Sequence, residues 1–300
     1  MPINVVFASD KGYCAHLSVA MCSLFENNKG ARFDVYIISG DMDKTSWHKL
    51  ERLTGRYGHR LIGVKIADHE CEGLVTTYHF TKANYYRMFI ADKLANVSKI
   101  LYLDADIVVN GSIEDLYSTN IDDYYLAAVI NPGFDRHKDL EMSEESRYFN
   151  SGVMLLNLAK WRLDHIRERA VALIRRKPWA MQFVDQCAIN SVVNGRWKDL
   201  HPKFNLQGCF LETRAGTYSA LFPINDLEMA LSHPIIIHYS GSVKPWHFRC
   251  NHIYRSLYWK YLRKTPFNYY LSKDVTLKNV GKWLVSKTIK DALRKLLGNA

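Results

Sequence analysis

Two carboxylates one residue apart, directly after an apolar run, are the first residues in the chain that could do chemistry. The stretch KILYLDADIVVNGSI (residues 99–113) places Asp104 and Asp106 where the run Ile100-Leu101-Tyr102-Leu103 stops. Two carboxylates at i and i+2 converge on one hard cation if the backbone turns at the strand end, and Mg²⁺ or Mn²⁺ then takes its remaining ligands from a diphosphate. A bound cation would remove most of the cost of placing two like charges side by side. Alternatively one aspartate attacks phosphorus while the other acts as acid/base, or the two are simply solvated loop carboxylates.

The nucleophilic reading matches a haloacid-dehalogenase-type phosphohydrolase strand. That chemistry expects its motif near the start of a domain, with a lysine and a second acidic pair much later. Here the motif follows a hundred residues of strand and helix pattern, and Asp122-Asp123 comes too soon to be the second pair. A second constellation favours the metal. HYSGSVKPWH (residues 238–247) sets His238 at the end of an apolar strand, followed by Gly241 and Lys244. These supply an imidazole ligand, a close backbone approach and a cation for phosphate. Asp104, Asp106 and His238 together are far more specific than either motif alone.

The elements that must position these groups alternate along the chain. Residues 4–10, 33–39, 60–68, 124–130, 148–158 and 234–241 read as strands, as does the run before Asp104. Helical spacing appears at 15–27, where Leu17, Met21 and Leu24 share a face, and again at 44–58, near 81–93, at about 161–177 and at 183–195. Strands that are continuously apolar and alternate with helices predict an α/β fold with a mainly parallel central sheet flanked by helices. Ligands bind such sheets beyond the carboxyl ends of the strands, where Asp10, Asp104 and Asp106 all fall.

Charge divides the chain. The net charge is +10, but residues 251–300 hold 11 Lys/Arg against two acidic residues, leaving 29 basic and 28 acidic side chains in residues 1–250. A neutral body argues against nucleic-acid binding, which wants a basic patch on the folded domain. The basic segment carries seven aromatics between 254 and 270. Further on, Val285, Ile289, Ala292, Leu293 and Leu296 share one helical face opposite Lys287, Lys290 and Arg294. This pattern suits an anionic membrane surface or, alternatively, packing on the body with a solvated basic face. The domains expected are therefore a catalytic body, 1–250, and a membrane-association segment, 251–300. No run is long and apolar enough to span a bilayer, and MPINVVFASD opens as a strand rather than a secretory leader. Six scattered cysteines without a CxxC pair predict reduced thiols in a cytosolic protein, not a disulfide framework or structural zinc.

Six stretches in one order, VFASDKGY, YYRM, LYLDADIVV, FNSGVMLLNL, DQCAIN and HYSGSVKPWH, make the chain resemble glycosyltransferase family 8 over about residues 3–250. It is similar to bacterial lipooligosaccharide galactosyltransferases and lipopolysaccharide glucosyltransferases. The resemblance implies a GT-A fold and Mn²⁺-dependent (or Mg²⁺-dependent) transfer of a hexose from UDP-galactose or UDP-glucose, with retention, to a glycolipid or oligosaccharide acceptor. It implies that Ala8, Ser9, Asp10 and Tyr13 hold the uridine, and that Asp104, Asp106 and His238 bind the metal. Ala105, Gly241 and Lys244 would lie against the nucleotide diphosphate, and Arg87, Asn131, Asn150, Asp185 and Gln186 around the donor sugar. With the basic segment, it places the enzyme on the cytoplasmic face of the inner membrane. A catalytically silent UDP-sugar-binding protein is the remaining alternative.

Two positions depart from the pattern. Gly12 stands where some relatives carry Asn, and Asn131 where galactose-using relatives carry Asp, so the donor hexose stays open between glucose and galactose. The resemblance also implies that Gln186 occupies the region below the anomeric carbon. An amide is a poor nucleophile, which favours same-face substitution over double displacement through Gln186 or Asp185.

Overall fold

The structure, a computed structural model, describes residues 2–74, 82–212, 218, 220–272, 274–277 and 279–280. Its first strand, β1 (Ile3–Ala8), buries Val5, Val6 and Phe7 completely. Helix α1 (Cys14–Asn27) follows and is buried from Cys14 to Phe25, as expected of a helix that is apolar on nearly every face. Next come β2 (Phe33–Ser39), α2 (Lys44–Arg56) and β3 (Arg60–Lys65). Asp43 caps α2, its carboxylate accepting from the Ser46 amide at 2.9 Å. The charged ends of β3, Arg60 and Lys65, protect an edge strand from further pairing.

The chain then builds the other half of this sheet, with β5 set aside for a second one. β4 (Lys99–Leu103), β5 (Ile107–Val109), β6 (Leu126–Ile130) and β7 (Phe149–Asn157) are followed by α3 (Ile166–Arg176), α4 (Val184–Val193) and β8 (Lys198–Asp199). The seven-stranded sheet has the order β3-β2-β1-β4-β7-β6-β8. All of its strands share one direction except β7, which runs antiparallel to both β4 and β6. The strand order reverses between β1 and β4, with Phe7 opposite Leu103. That reversal opens a crevice at the carboxyl ends of the two strands, which is where Asp10 and Asp104 leave the sheet.

The apolar run before His238 was expected as one more strand, and it belongs to a separate small sheet. β9 (Leu206–Gln207) and β10 (Ile236–His238) join β5 in the order β5-β10-β9. β10 runs antiparallel to β5, so His238 pairs with Ile107, the residue after Asp106. This register brings the late histidine to the mid-chain aspartates.

Two helical expectations divide. Residues 161–177 form the end of one short helix (Leu158–Leu163) and then α3, with His165 between them at φ +51°. Asp164, which caps the first helix, accepts the Tyr125 hydroxyl at 2.6 Å, and the chain turns there. Residues 82–93 form three short pieces, the middle one a tight 3-10 turn, Tyr86–Phe89, that carries Arg87; residue 81 lies outside the described residues.

Part of the aromatic stretch after residue 250 is packed on the body. Helix α5 (Arg255–Leu262) lies on α1, with Tyr258, Tyr261 and Leu262 buried. Tyr258 shares a 2.7 Å hydrogen bond with His16, and Asn27 donates to the Tyr261 hydroxyl at 2.7 Å. Phe267 is also buried, whereas Tyr269, Leu271, Val275 and Leu277 are exposed. The amphipathic pattern at 285–296 lies outside the described residues. Among the described residues no helix is long and apolar enough to cross a membrane, and all six cysteines are free thiols.

Candidate active site

A cleft of about 500 Å³ opens at the β1/β4 reversal. Its inner end is set by three strand ends. Asp104 follows β4 and its amide donates to the Gly152 carbonyl at 2.8 Å, extending the β4–β7 ladder by one residue. Asp106 precedes β5, and His238 closes β10. One ligand atom from each of Asp104, Asp106 and His238 lies within 4.8 Å of the others.

Each carboxylate has one oxygen occupied and one turned inward. Asp104 Oδ1 accepts from the Tyr102 hydroxyl at 2.6 Å and lies 3.1 Å from Arg87 Nη2, leaving Oδ2 at 3.7 Å from His238 Nε2. Asp106 Oδ2 meets Lys244 Nζ at 2.5 Å, leaving Oδ1 at 3.4 Å from His238 Nε2. Burial by itself would raise the Asp106 carboxyl, but Lys244 and then His238 outweigh it and hold it far below the ordinary range. Two carboxylate oxygens and an imidazole nitrogen are the hard and borderline donors that Mn²⁺ or Mg²⁺ takes. The wall opposite is glycine by necessity: a Cβ on Gly152 would lie 2.2 Å from His238 Cε1 and 2.7 Å from Asp104 Oδ2. The residues present fit a divalent cation.

Arg87 joins this end to the next. Its guanidinium is buried, reaches Asp185 Oδ2 at 2.9 Å through Nε, and donates from Nη1 to the Ser151 carbonyl and hydroxyl at 2.9 and 3.0 Å. The ring of Tyr102 lies under it at 4.7 Å. Burial pushes the Asp185 carboxyl up to about 7; Arg87 opposes the shift and the Asp104 charge adds to it.

Gln186 is held at both ends. Its Oε1 accepts from the Ser151 amide at 3.0 Å, and its Nε2 donates to the Tyr148 hydroxyl at 3.3 Å. Asp185 and Gln186 lie in the first turn of α4, directly after its first residue Val184, a β-branched residue held at φ +38°. That is a strained conformation at the point where the chain turns two side chains into the cleft. Asn150 uses its oxygen internally, accepting from the Gly152 amide at 2.9 Å and from Asn205 at 3.0 Å. Only its Nδ2 is left for a ligand, so it can serve a sugar as a donor.

The outer end is more open. Asp10 caps the short turn Lys11–Tyr13 through Tyr13's amide, and Tyr13 packs edge-on against Trp246. A side chain at Gly12 would sit 3.1 Å from Asp10 Oδ1, so the missing asparagine leaves that carboxylate uncrowded. Gly241 has open space around its Cα, and Lys244 Nζ also donates to the Tyr239 carbonyl at 2.7 Å. Asn131, whose backbone N–H donates to the Tyr148 carbonyl, completes the wall after β6.

All of the site residues expected from the sequence line this one cleft, including Ala8, Ser9 and Ala105. Several residues there were not anticipated: Tyr102, Ser151, Gly152, Gln207 and, behind the wall, Asn205. A glycine inside an otherwise apolar strand pattern signals close approach, so FNSG carried a sign of Gly152. Asn205 had no local signal, because its role depends on three residues that are distant in sequence.

The geometry agrees with what known proteins show. The family model described as glycosyl transferase family 8 matches residues 4–250. The chain belongs to glycosyltransferase family 8. General stress protein A of Bacillus subtilis is 30% identical over 89% of this chain and 95% of its own length. The lipopolysaccharide 1,2-glucosyltransferase of Escherichia coli K12 is 27% identical over 82% of the chain and 73% of its own. The crystal structure of the galactosyltransferase LgtC in complex with donor and acceptor sugar analogs superposes with a TM-score of 0.77, covering 93% of this chain and all of that one at 23% identity. The fold is thus GT-A and the family activity glycosyl transfer, which sets aside the phosphohydrolase reading of Asp104 and Asp106.

Proposed function

We propose that this family 8 enzyme transfers galactose or glucose from a UDP-sugar, with retention, to a sugar hydroxyl of a glycolipid acceptor such as a lipopolysaccharide or lipooligosaccharide core. The observation that carries the reading is the convergence of Asp104 Oδ2, Asp106 Oδ1 and His238 Nε2 at the inner end of a cleft whose outer end offers Asp10, Tyr13 and Gly241. Asp104, Asp106 and His238 would hold Mn²⁺ or Mg²⁺, which when bound neutralises charge on the departing diphosphate. Lys244 pairs with Asp106 and sits beside Gly241, within reach of the same diphosphate. Ala8, Ser9, Asp10 and Tyr13 take the uridine, and Arg87, Asn131, Asn150 and Asp185 the sugar hydroxyls.

Same-face substitution follows from what Asp185 and Gln186 are. Asp185 is ion-paired to Arg87 and burial raises its carboxyl, so it is a poor nucleophile. Gln186 is locked by Ser151 and Tyr148, so its carbonyl dipole is fixed. It stabilises positive charge growing at the anomeric carbon while the acceptor hydroxyl attacks and a leaving phosphate oxygen takes its proton. The lipopolysaccharide glucosyl- and galactosyltransferases among the relatives support the acceptor class. The basic segment, with exposed Leu271, Val275 and Leu277, supports peripheral attachment to an anionic cytoplasmic membrane face.

The test is UDP release from UDP-glucose, UDP-galactose and their N-acetyl forms, with and without Mn²⁺, on a soluble acceptor sugar. Manganese-stimulated release from one hexose donor is expected. Tight UDP binding without turnover on any of them would instead identify a silent binding protein.

A further inference from the structure

The hydrogen bonds behind the metal end have a polarity that can be read from one backbone amide. Gly152 N–H can only donate, and at 2.9 Å from Asn150 it identifies the acceptor as the side-chain oxygen. The same oxygen lies 3.0 Å from the Asn205 side chain, which must therefore present its NH₂ there. The other end of that amide, its oxygen, then faces His238 Nδ1 at 3.0 Å. A carbonyl oxygen only accepts, so Nδ1 must carry the proton.

The geometry points to Asn205 as a positioning residue that holds a proton on His238 Nδ1, so that Nε2 is the nitrogen left for a cation between Asp104 and Asp106. Asn205 and His238 are 0% and 3% exposed, so water does not offer an alternative partner that would scramble the choice. With its proton on Nε2 alone, His238 would set the Nδ1 lone pair against the Asn205 oxygen and have no nitrogen to offer a cation between the two carboxylates. A ligating imidazole is oriented by the partner of its other nitrogen, and here that partner is an amide whose own orientation is dictated from β7. Nothing on β5 or β10 alone could make this choice. Asn205 is supplied by the chain just before β9, and Asn150 by β7.

This inference rests on the metal reading above, so the experiment separates the two. Full-length protein labelled with ¹⁵N-histidine reports each imidazole tautomer by long-range ¹H–¹⁵N correlation without metal, and His238→Gln assigns the signal. Wild-type His238 should carry a proton on Nδ1. Mn²⁺ alone, titrated by electron paramagnetic resonance, should bind Asn205→Ala roughly 10–100-fold more weakly, with the imidazole signal moved toward the other tautomer. Asn205→Asp keeps an acceptor for Nδ1 while losing the donor to Asn150, and should retain the Nδ1–H form and recover most of the affinity. An imidazole without a proton on Nδ1 in wild-type protein overturns the inference even if the alanine variant does not fold. So does wild-type Mn²⁺ affinity in Asn205→Ala. A wild-type Nδ1–H imidazole in protein that holds no Mn²⁺ would sink the metal reading, and the purpose assigned to Asn205 with it.

Discussion

The two ends of the cleft are built differently. At the metal end, almost every polar atom is assigned. Asp104 is divided between Tyr102, Arg87 and the cation position, Asn150 between Gly152 and Asn205, and Gln186 between Ser151 and Tyr148. At the outer end, where the nucleoside is proposed to bind, Tyr13 is more than a third exposed, a side chain at Gly241 would meet nothing, and the loop from Ser240 to His247 is fastened mainly from behind. There His16 stacks on Trp246 with ring centroids 3.5 Å apart, Ser272 Oγ donates to the Trp246 carbonyl, and Asp274 accepts from the Phe248 amide at 2.8 Å. The contrast is physical. Groups that must face developing charge gain from being immobile before substrate arrives, whereas a loop over a nucleotide must admit and release it. The outer end is therefore fastened by Ser272 and Asp274, beyond the body expected from the sequence.

The sharpest way to break this comparison is to disturb the immobile end by one methyl group. Gly152→Ala forces His238 or Asp104 to move, and a shift of about 1 Å at reacting groups costs on the order of 100-fold in rate. Turnover should fall by at least that much while the protein melts cooperatively. Near-wild-type kcat would show that the metal end is more compliant than its contacts suggest.

Truncation separates the other end. A chain ending after residue 280 should keep turnover on a short soluble acceptor and bind vesicles more weakly than the full chain. One ending after 270 also loses the Ser272 and Asp274 fastenings, and should show a roughly tenfold higher KM for the UDP-sugar, about 1.4 kcal/mol. Equal kinetics for the two would sever the link between the segment and the loop. Vesicle binding that persists at low salt in the shorter chain would locate the membrane contact elsewhere.

Gln186→Ala sharpens the comparison within the rigid end. A loss of about tenfold in kcat, about 1.4 kcal/mol of barrier, fits a fixed dipole assisting charge development. A glycosyl adduct trapped on Asp185 by mass spectrometry would replace same-face substitution with double displacement.

The smallest effect concerns pH. Burial raises the Asp185 carboxyl to about 7 in the folded protein, against an ordinary value of 3.8. Between those values the folded state holds a proton that the unfolded chain has released. Its contribution to stability is therefore present below the ordinary value and is lost as pH rises through about 7. Asp185→Asn should flatten that part of the metal-free stability–pH curve, as read from urea midpoints. An unchanged slope would mean that Arg87 keeps Asp185 ionised throughout.

The periodicity and apolar runs of the sequence were enough to determine an α/β sheet with helices on its faces, because burial on both sides leaves a strand continuously apolar. The strand-terminal positions of Asp10, Asp104 and His238 likewise followed from where each run stops. Three things needed the tertiary structure. The direction of β7 depends on pairing that its own apolar pattern does not encode, and it is that direction that puts Gly152 beside Asp104. Membership of β10 in a separate sheet depends on β5, more than a hundred residues earlier, and sets the register that delivers His238. The Asn150–Asn205–His238 chain joins residues with no mutual spacing rule at all, since hydrogen-bond polarity is a property of atoms brought together and not of order along a chain.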